Sequence, residues 1–136
     1  MALVVELYVK FELPVKFPLV LNCTCVFVPP APPVKVLANC PGVRILVLGD
    51  MAELGAWSEQ HHEAVGIAAR EQRIDGLLTC GKLGVKSALA FGSGGKHYVN
   101  QHELTQDLLR RLDSDTTVLV KGSRSAAMEN IVQELI

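Results

Sequence analysis

Two groups of residues in this chain of 136 have the types and spacing to do chemistry. The first is Asp50, Glu53 and His62, two carboxylates and an imidazole close together in the chain. Brought together in space, such side chains could hold a divalent ion or poise a proton; the same spacing also suits a capped helix with exposed charges and a satisfied histidine. His61, beside it, is expected to point elsewhere around the helix, toward solvent. The second group is Lys121-Gly-Ser-Arg-Ser125, with two cations, two hydroxyls and a flexible glycine. Placed just before a helix N-terminus, this stretch suits a carboxylate or a phosphate, because dipole, amides and side chains add in one place. An ordinary strand-to-helix turn with a serine cap has the same composition.

Two glycine-lysine stretches come close to phosphate loops and fall short. Gly81-Lys-Leu-Gly-Val-Lys-Ser87 carries Val85 where such a loop needs glycine. Gly92-Ser-Gly-Gly-Lys-His97 lacks a hydroxyl after Lys96 and leads into a strand. An anion cradle needs strand, glycines and helix N-terminus together, so that backbone amides converge.

The elements that would position these groups begin at Arg44. Arg44 to Leu48 is nearly all apolar and reads as a strand buried on both faces, as inside a parallel sheet. Gly49 ends it, and Asp50 lies just past its carboxyl end, where open α/β sheets collect ligands. Ser58 reads as the N-cap of a helix that presents Ala64, Val65, Ile67 and Ala68 and runs to about Arg73. Ile74 to Cys80 is a strand, Leu83 to Phe91 a helix, Gly92 to Gly95 a turn and Lys96 to Val99 a third strand. Asn100 and Glu103 have capping-box spacing for a helix lined by Leu104, Leu108, Leu109 and Leu112. Thr116 to Val120 is a fourth strand, Lys121 to Ser125 the loop after it, and Ala126 to Leu135 the last helix. This alternation predicts a Rossmann-like, doubly wound α/β fold, a mostly parallel sheet flanked by helices.

Residues 1–33 follow another pattern. Val5, Leu7, Val9, Phe11 and Leu13 alternate with Glu6, Tyr8, Lys10 and Glu12, the period of a half-exposed strand. Leu19 to Val28 is a second β-prone run, and Pro29-Pro-Ala-Pro-Pro33 is a stiff break that neither a helix nor a sheet centre accepts. We expect a hairpin-like or poorly ordered appendage, then a linker, with Val34 to Asn39 as the end of a helix closed by Cys40-Pro-Gly42. Glu6, Lys10, Glu12, Pro14, Lys16 and Pro18 keep any run far from the roughly 20 apolar residues of a spanning helix. A signal peptide's leading charge and small-residue cleavage site are missing too, so a cytoplasmic location is expected.

Composition narrows the class further. Apolar residues make up 49% and the net charge is −1, which argues against both a disordered chain and a nucleic-acid surface. The cysteines at 23, 25, 40 and 80 form no zinc spacing and read as free thiols of a reducing compartment.

Gly49-Asp-Met-Ala-Glu-Leu-Gly55, the Ser58…His62…Val65-Gly66 spacing and Lys121-Gly-Ser-Arg-Ser-Ala-Ala-Met-Glu129 together closely resemble the C-terminal domain of the bacterial Mur ligases. We therefore divide the chain into 1–33, an unmatched appendage read as an unrelated or out-of-frame stretch, and 34–136, a Mur ligase C-terminal domain. Within the family the chain most resembles the members that join D-alanyl-D-alanine to UDP-N-acetylmuramoyl-tripeptide. The resemblance implies an amide-forming acid–D-amino-acid ligase that uses ATP and magnesium and passes through an acyl phosphate. It implies a role in peptidoglycan precursor synthesis, and so in cell wall biogenesis, cell shape and cell division. Family enzymes have three domains, with the phosphate loop in the central one. By itself this chain is then expected to be inactive, to bind neither ATP nor magnesium, and to depend on the N-terminal and central domains. No nucleic acid or membrane partner is implied. The family's Asp-x-Tyr-Asn-x-Asn-Pro segment, due shortly before residue 35, does not occur. The resemblance also implies that Asp50, Glu53, His62, Lys121, Ser123 and Arg124 face the cleft and the incoming dipeptide as substrate-binding residues; it assigns none as catalytic. Two other readings stand beside it: a stand-alone module that holds an acidic peptide or nucleotide on the Lys121 loop, and a folded remnant without function.

Overall fold

The computed structural model describes residues 4–10, 19–24, 31–50, 56–112, 115–123 and 126–135. A hairpin of β1 (Val4–Lys10) and β2 (Leu19–Thr24) precedes α1 (Ala31–Ala38). Strand and helix then alternate through β3 (Val43–Leu48), α2 (Ser58–Glu71), β4 (Gly76–Cys80), α3 (Gly84–Phe91), β5 (Gly95–Tyr98), α4 (Gln101–Arg111), β6 (Thr116–Ser123) and α5 (Glu129–Leu135). One sheet holds all six strands in the order β2-β1-β6-β3-β4-β5. Its β6-β3-β4-β5 part is parallel, as expected, and β1 runs antiparallel to both β2 and β6.

The strands at the sheet's centre are apolar at nearly every position because both of their faces are covered. Ile45 and Val47 of β3 pack in one cluster with Leu104, Leu108, Ile131 and Val132 of α4 and α5. Leu46 and Leu48 pack in the other with Leu37, Val65, Ala69 and Phe91 of α1, α2 and α3. Leu46, Leu77 and Leu119 are fully buried, and each such side chain contributes about 1.5–3 kcal/mol. Sequence order reverses between β3 and β6, so the helices that follow them lie on opposite faces. A switch point of this kind opens a crevice at the carboxyl ends of the strands.

Several boundaries differ from the expected ones, each for a physical reason. Pro32 and Pro33 fall inside α1 rather than in a linker before it. In a helix's first turn the missing N–H costs nothing, since no carbonyl there awaits it. Ser58 is the first residue of α2 and not its cap; Trp57 holds the cap position without a side-chain hydrogen bond. The expected cap of α4 is present: Asn100 Oδ1 accepts the N–H of Glu103 at 2.8 Å. Leu104 and Leu108 are buried and Leu112 packs against them, whereas Leu109 turns outward and is 42% exposed. The last strand runs three residues past Val120, taking in Lys121, Gly122 and Ser123. These three stand opposite Glu6, Val5 and Val4 of β1, and Lys121 also pairs with Leu48 of β3, so partners on both sides keep the chain extended. The final helix starts at Glu129, after a turn over residues 126–128.

Candidate functional site at the carboxyl ends of the strands

The carboxyl ends of the parallel strands border a cleft of about 300 Å³. Asp50 follows β3, Cys80 and Gly81 close β4, Val99 to Gln101 follow β5, and Ala126 follows β6.

Asp50 is where the sequence suggests, past the end of β3, but its carboxylate is turned toward the neighbouring strand. Its Oδ2 accepts the N–H of Lys82 at 2.9 Å, and its Oδ1 accepts those of Leu83 at 2.9 Å and Gly84 at 3.2 Å. The three amides open α3, so their positive helix end meets a negative charge supplied by the chain itself. The approach is close enough to require glycine at 81. Its φ is +94°, and a Cβ there would lie 2.5 Å from the Asp50 carboxyl carbon. The near-phosphate loop Gly81–Ser87 thus has the strand, the turn and the helix of an anion cradle, with an internal carboxylate as its anion.

Cys80 shares this wall. Burial first, then the charge of Asp50, pushes its thiol up to about 11, which leaves it unreactive at neutral pH. Its Sγ lies 3.9 Å from Met128 Sδ. Cys80 is a buried, free thiol.

His62 is fully buried in α2. Its Nδ1–H donates to the Ser58 carbonyl at 2.6 Å, and its own carbonyl accepts the Ser87 hydroxyl at 2.5 Å. This histidine therefore joins α2 to α3. Among the described residues no three His, Cys, Asp or Glu side chains gather as a metal ion requires. The 82–84 amides, which could otherwise meet a phosphate, are engaged by Asp50.

Lys121 is 3% exposed, near the end of β6. Strand alternation puts it on the face of Leu119, which packs with α2. Burial, then His62 and Lys121, hold the His61 imidazole below its usual 6.5. His61 is half-buried and feels this cation, contrary to the solvent-facing position expected for it. Ser123 ends β6, while Glu53 and Arg124 lie outside the described residues. The structure thus brings Lys121 toward the histidine pair and places Asp50 in the cleft wall beside α3.

Asn100 and Gln101 are the cleft residues that the sequence reading left out. Asn100 drew notice only as a cap, although its place just past a parallel strand is the same signal that marked Asp50. Gln101 donates from Nε2 to the Ala126 carbonyl at 2.6 Å, joining the start of α4 to the turn after β6.

Set against known proteins, residues 34–124 match the family described as Mur ligase, glutamate ligase domain. The chain is 49% identical over 105 residues to UDP-N-acetylmuramoyl-tripeptide–D-alanyl-D-alanine ligase of Escherichia coli, a match covering 75% of this chain and 23% of that protein. The Bacillus subtilis enzyme of the same name is 35% identical over 100 residues, covering 70% and 22%. Among solved structures, a crystal structure of MurF from Acinetobacter baumannii aligns with a TM-score of 0.66 at 27% identity, covering 75% of this chain and 24% of that one. MurF ligase from Thermotoga maritima, in complex with ADP, aligns with a TM-score of 0.58 at 27% identity, covering 74% and 23%. The chain spans about a quarter of the length of these relatives.

Proposed function

The chain belongs to the Mur ligase family, through its glutamate ligase domain, and on that premise we propose that it serves an ATP-dependent ligase that adds D-alanyl-D-alanine to UDP-N-acetylmuramoyl-tripeptide. The observation that carries this reading is the 49% identity, over 105 residues, to the Escherichia coli enzyme of that activity. In such a ligase the domain supplies a wall of the cleft rather than the phosphate chemistry. ATP and magnesium are held by another domain, since the amides of the 81–87 loop already bind Asp50. The setting is the cytoplasm, in peptidoglycan precursor synthesis, and so in cell shape and division.

We assign the dipeptide's carboxylate to the stretch Lys121–Ser125 at the end of β6. Arg124 is the bidentate partner, Ser123 a hydroxyl donor and Lys121 a fixed positive charge. We extend the substrate assignment to Asp50, in the cleft wall, and to Glu53, with His62 supporting them from inside α2. In a ligase carrying this domain, Arg124→Ala and Lys121→Ala each lower kcat/KM for the dipeptide by roughly 30- to 1,000-fold, about 2–4 kcal/mol, and change the use of ATP less. Steady-state kinetics varying one substrate at a time decides the matter. An unchanged dependence on dipeptide concentration removes this stretch from the substrate site.

We read 34–136 as the ligase domain and 1–33 as an appendage whose hairpin covers the β6 edge. A chain lacking residues 1–33 is expected to keep a single cooperative thermal transition. Loss of that transition would make the hairpin part of the folding unit.

A further inference from the structure

The turn after β6 is held by a side chain that belongs to another strand end. We propose that Gln101 is the positioning residue of this turn, clamping Ala126–Met128 and, through the seat of Met128 on Gly122, the Lys121–Ser123 end of β6. The role given to that stretch rests on the proposed function; the clamp itself does not.

Three features of the turn carry the inference. The Gln101 amide nitrogen lies 2.6 Å from the Ala126 carbonyl, 3.4 Å from the Ala127 carbonyl and 3.6 Å from Met128 Sδ. Carbonyl oxygens only accept, so the amide must point its N–H groups at the turn. Ala127 has a φ of +50°, the left-handed region that residues other than glycine avoid, so the turn needs an external hold. The third feature is what lies beneath. Met128 is seated on Gly49 and Gly122, where an added Cβ would come within 2.4 Å of its Sδ and 2.6 Å of its Cγ. The turn therefore rests on the ends of β3 and β6 from below and is gripped from the β5 side by Gln101. The carbonyls of Ala127 and Met128 feed the start of α5: Asn130 N–H donates to Ala127 at 3.1 Å and Ile131 N–H to Met128 at 3.1 Å. Without the amide of Gln101, the unfavourable backbone of Ala127 loses this hold, and the turn relaxes toward an ordinary conformation.

A double-mutant cycle read by hydrogen exchange on this chain tests the clamp. Gln101→Ala is expected to speed exchange of the Asn130 and Ile131 amides about tenfold while β3 and β4 stay protected. Gln101→Glu, of the same shape, should do likewise, because a carboxylate repels the two carbonyls. Ala127→Gly makes the left-handed turn cheap, so it should restore most of the protection in the Gln101→Ala chain and change little by itself. Wild-type exchange in Gln101→Ala, acceleration spread evenly over the sheet, or additive effects of the two substitutions would each overturn the clamp. In a ligase carrying the domain, Gln101→Ala should raise KM for D-alanyl-D-alanine about tenfold, or 1.4 kcal/mol, and leave that for ATP unchanged. Equal shifts in both would reduce Gln101 to a structural residue. A wild-type ligase indifferent to the dipeptide would sink the substrate reading and leave the exchange cycle to decide the clamp.

Discussion

The two ends of β3 are finished by opposite charges that solve the same problem in different ways. At the amino end, Arg44 gathers carbonyl oxygens: Nη1 donates to Ala38 at 2.7 Å and Nη2 to Arg73 at 2.6 Å, while its backbone N–H reaches the Asp75 carboxylate at 2.8 Å. At the carboxyl end, Asp50 gathers amide N–H groups from the first turn of α3. A cation ties down the ends of helices and an anion ties down a beginning, as the peptide dipoles require. The difference lies in what surrounds them. The Arg44 partners belong to connections that close the sheet off, whereas Asp50 lines the cleft. One end of the strand is fastened away from the cleft, and the other at the strand ends where open α/β sheets collect ligands.

That contrast breaks most readily at Asp50. Asp50→Ala leaves three amides of α3 without their acceptor and should cost about 2–4 kcal/mol, lowering Tm by roughly 10 °C. In a ligase carrying the domain it should also weaken use of the dipeptide. A melting curve that overlays the wild type would mean water replaces the carboxylate without loss.

Arg44→Ala should cost less, about 1–2 kcal/mol, because its partner Asp75 is 47% exposed and that ion pair is screened. Here the sharper measurement is the pairing of stability with kinetics. If KM for the dipeptide moved as far as it does for Asp50→Ala, the two ends of β3 would not be functionally distinct.

The smallest effect concerns the imidazole near Lys121. His61 is held below its usual 6.5 by burial, His62 and Lys121, so on acidification the unfolded chain takes up a proton before the folded one does. Its contribution is therefore fully present above pH 6.5 and is lost as pH falls through the lower folded value. His61→Gln should flatten the slope of unfolding free energy against pH just below 6.5. Identical slopes for the two proteins would show that the Lys121 charge does not reach this side chain. Asp107 titrates in a separate and lower window. The Tyr98 hydroxyl, then Arg111 and Lys96, hold its carboxyl below the usual range against the opposing effect of burial.

Much of this is legible in the amino-acid sequence. The apolar run of β3, the cap at Asn100 and the glycine that ends β3 are local signals, and each element they mark is present. Asp50 was also placed correctly as a position, because a residue just past a buried strand can be nowhere else. Its partners could not be read, since they lie 32 to 34 residues further on and meet it only through the β3–β4 pairing. His62 shows the same limit. Its helical spacing is local, but its burial depends on α3 arriving with Ser87.

The sequence by itself determined the alternation of strands and helices, the family, and the residues that sit at strand ends. Those properties follow from periodicity, caps and short motifs, which act within a few positions of the chain. Tertiary structure alone decided that the 82–84 amides serve Asp50 rather than a phosphate, and that Lys121 remains in a strand, paired on both sides. It also decided that Gln101 reaches the turn at Ala126. Each of these is a contact between segments far apart in sequence, and hydrogen-bond partners at that range are chosen by the packing of the sheet and its helices.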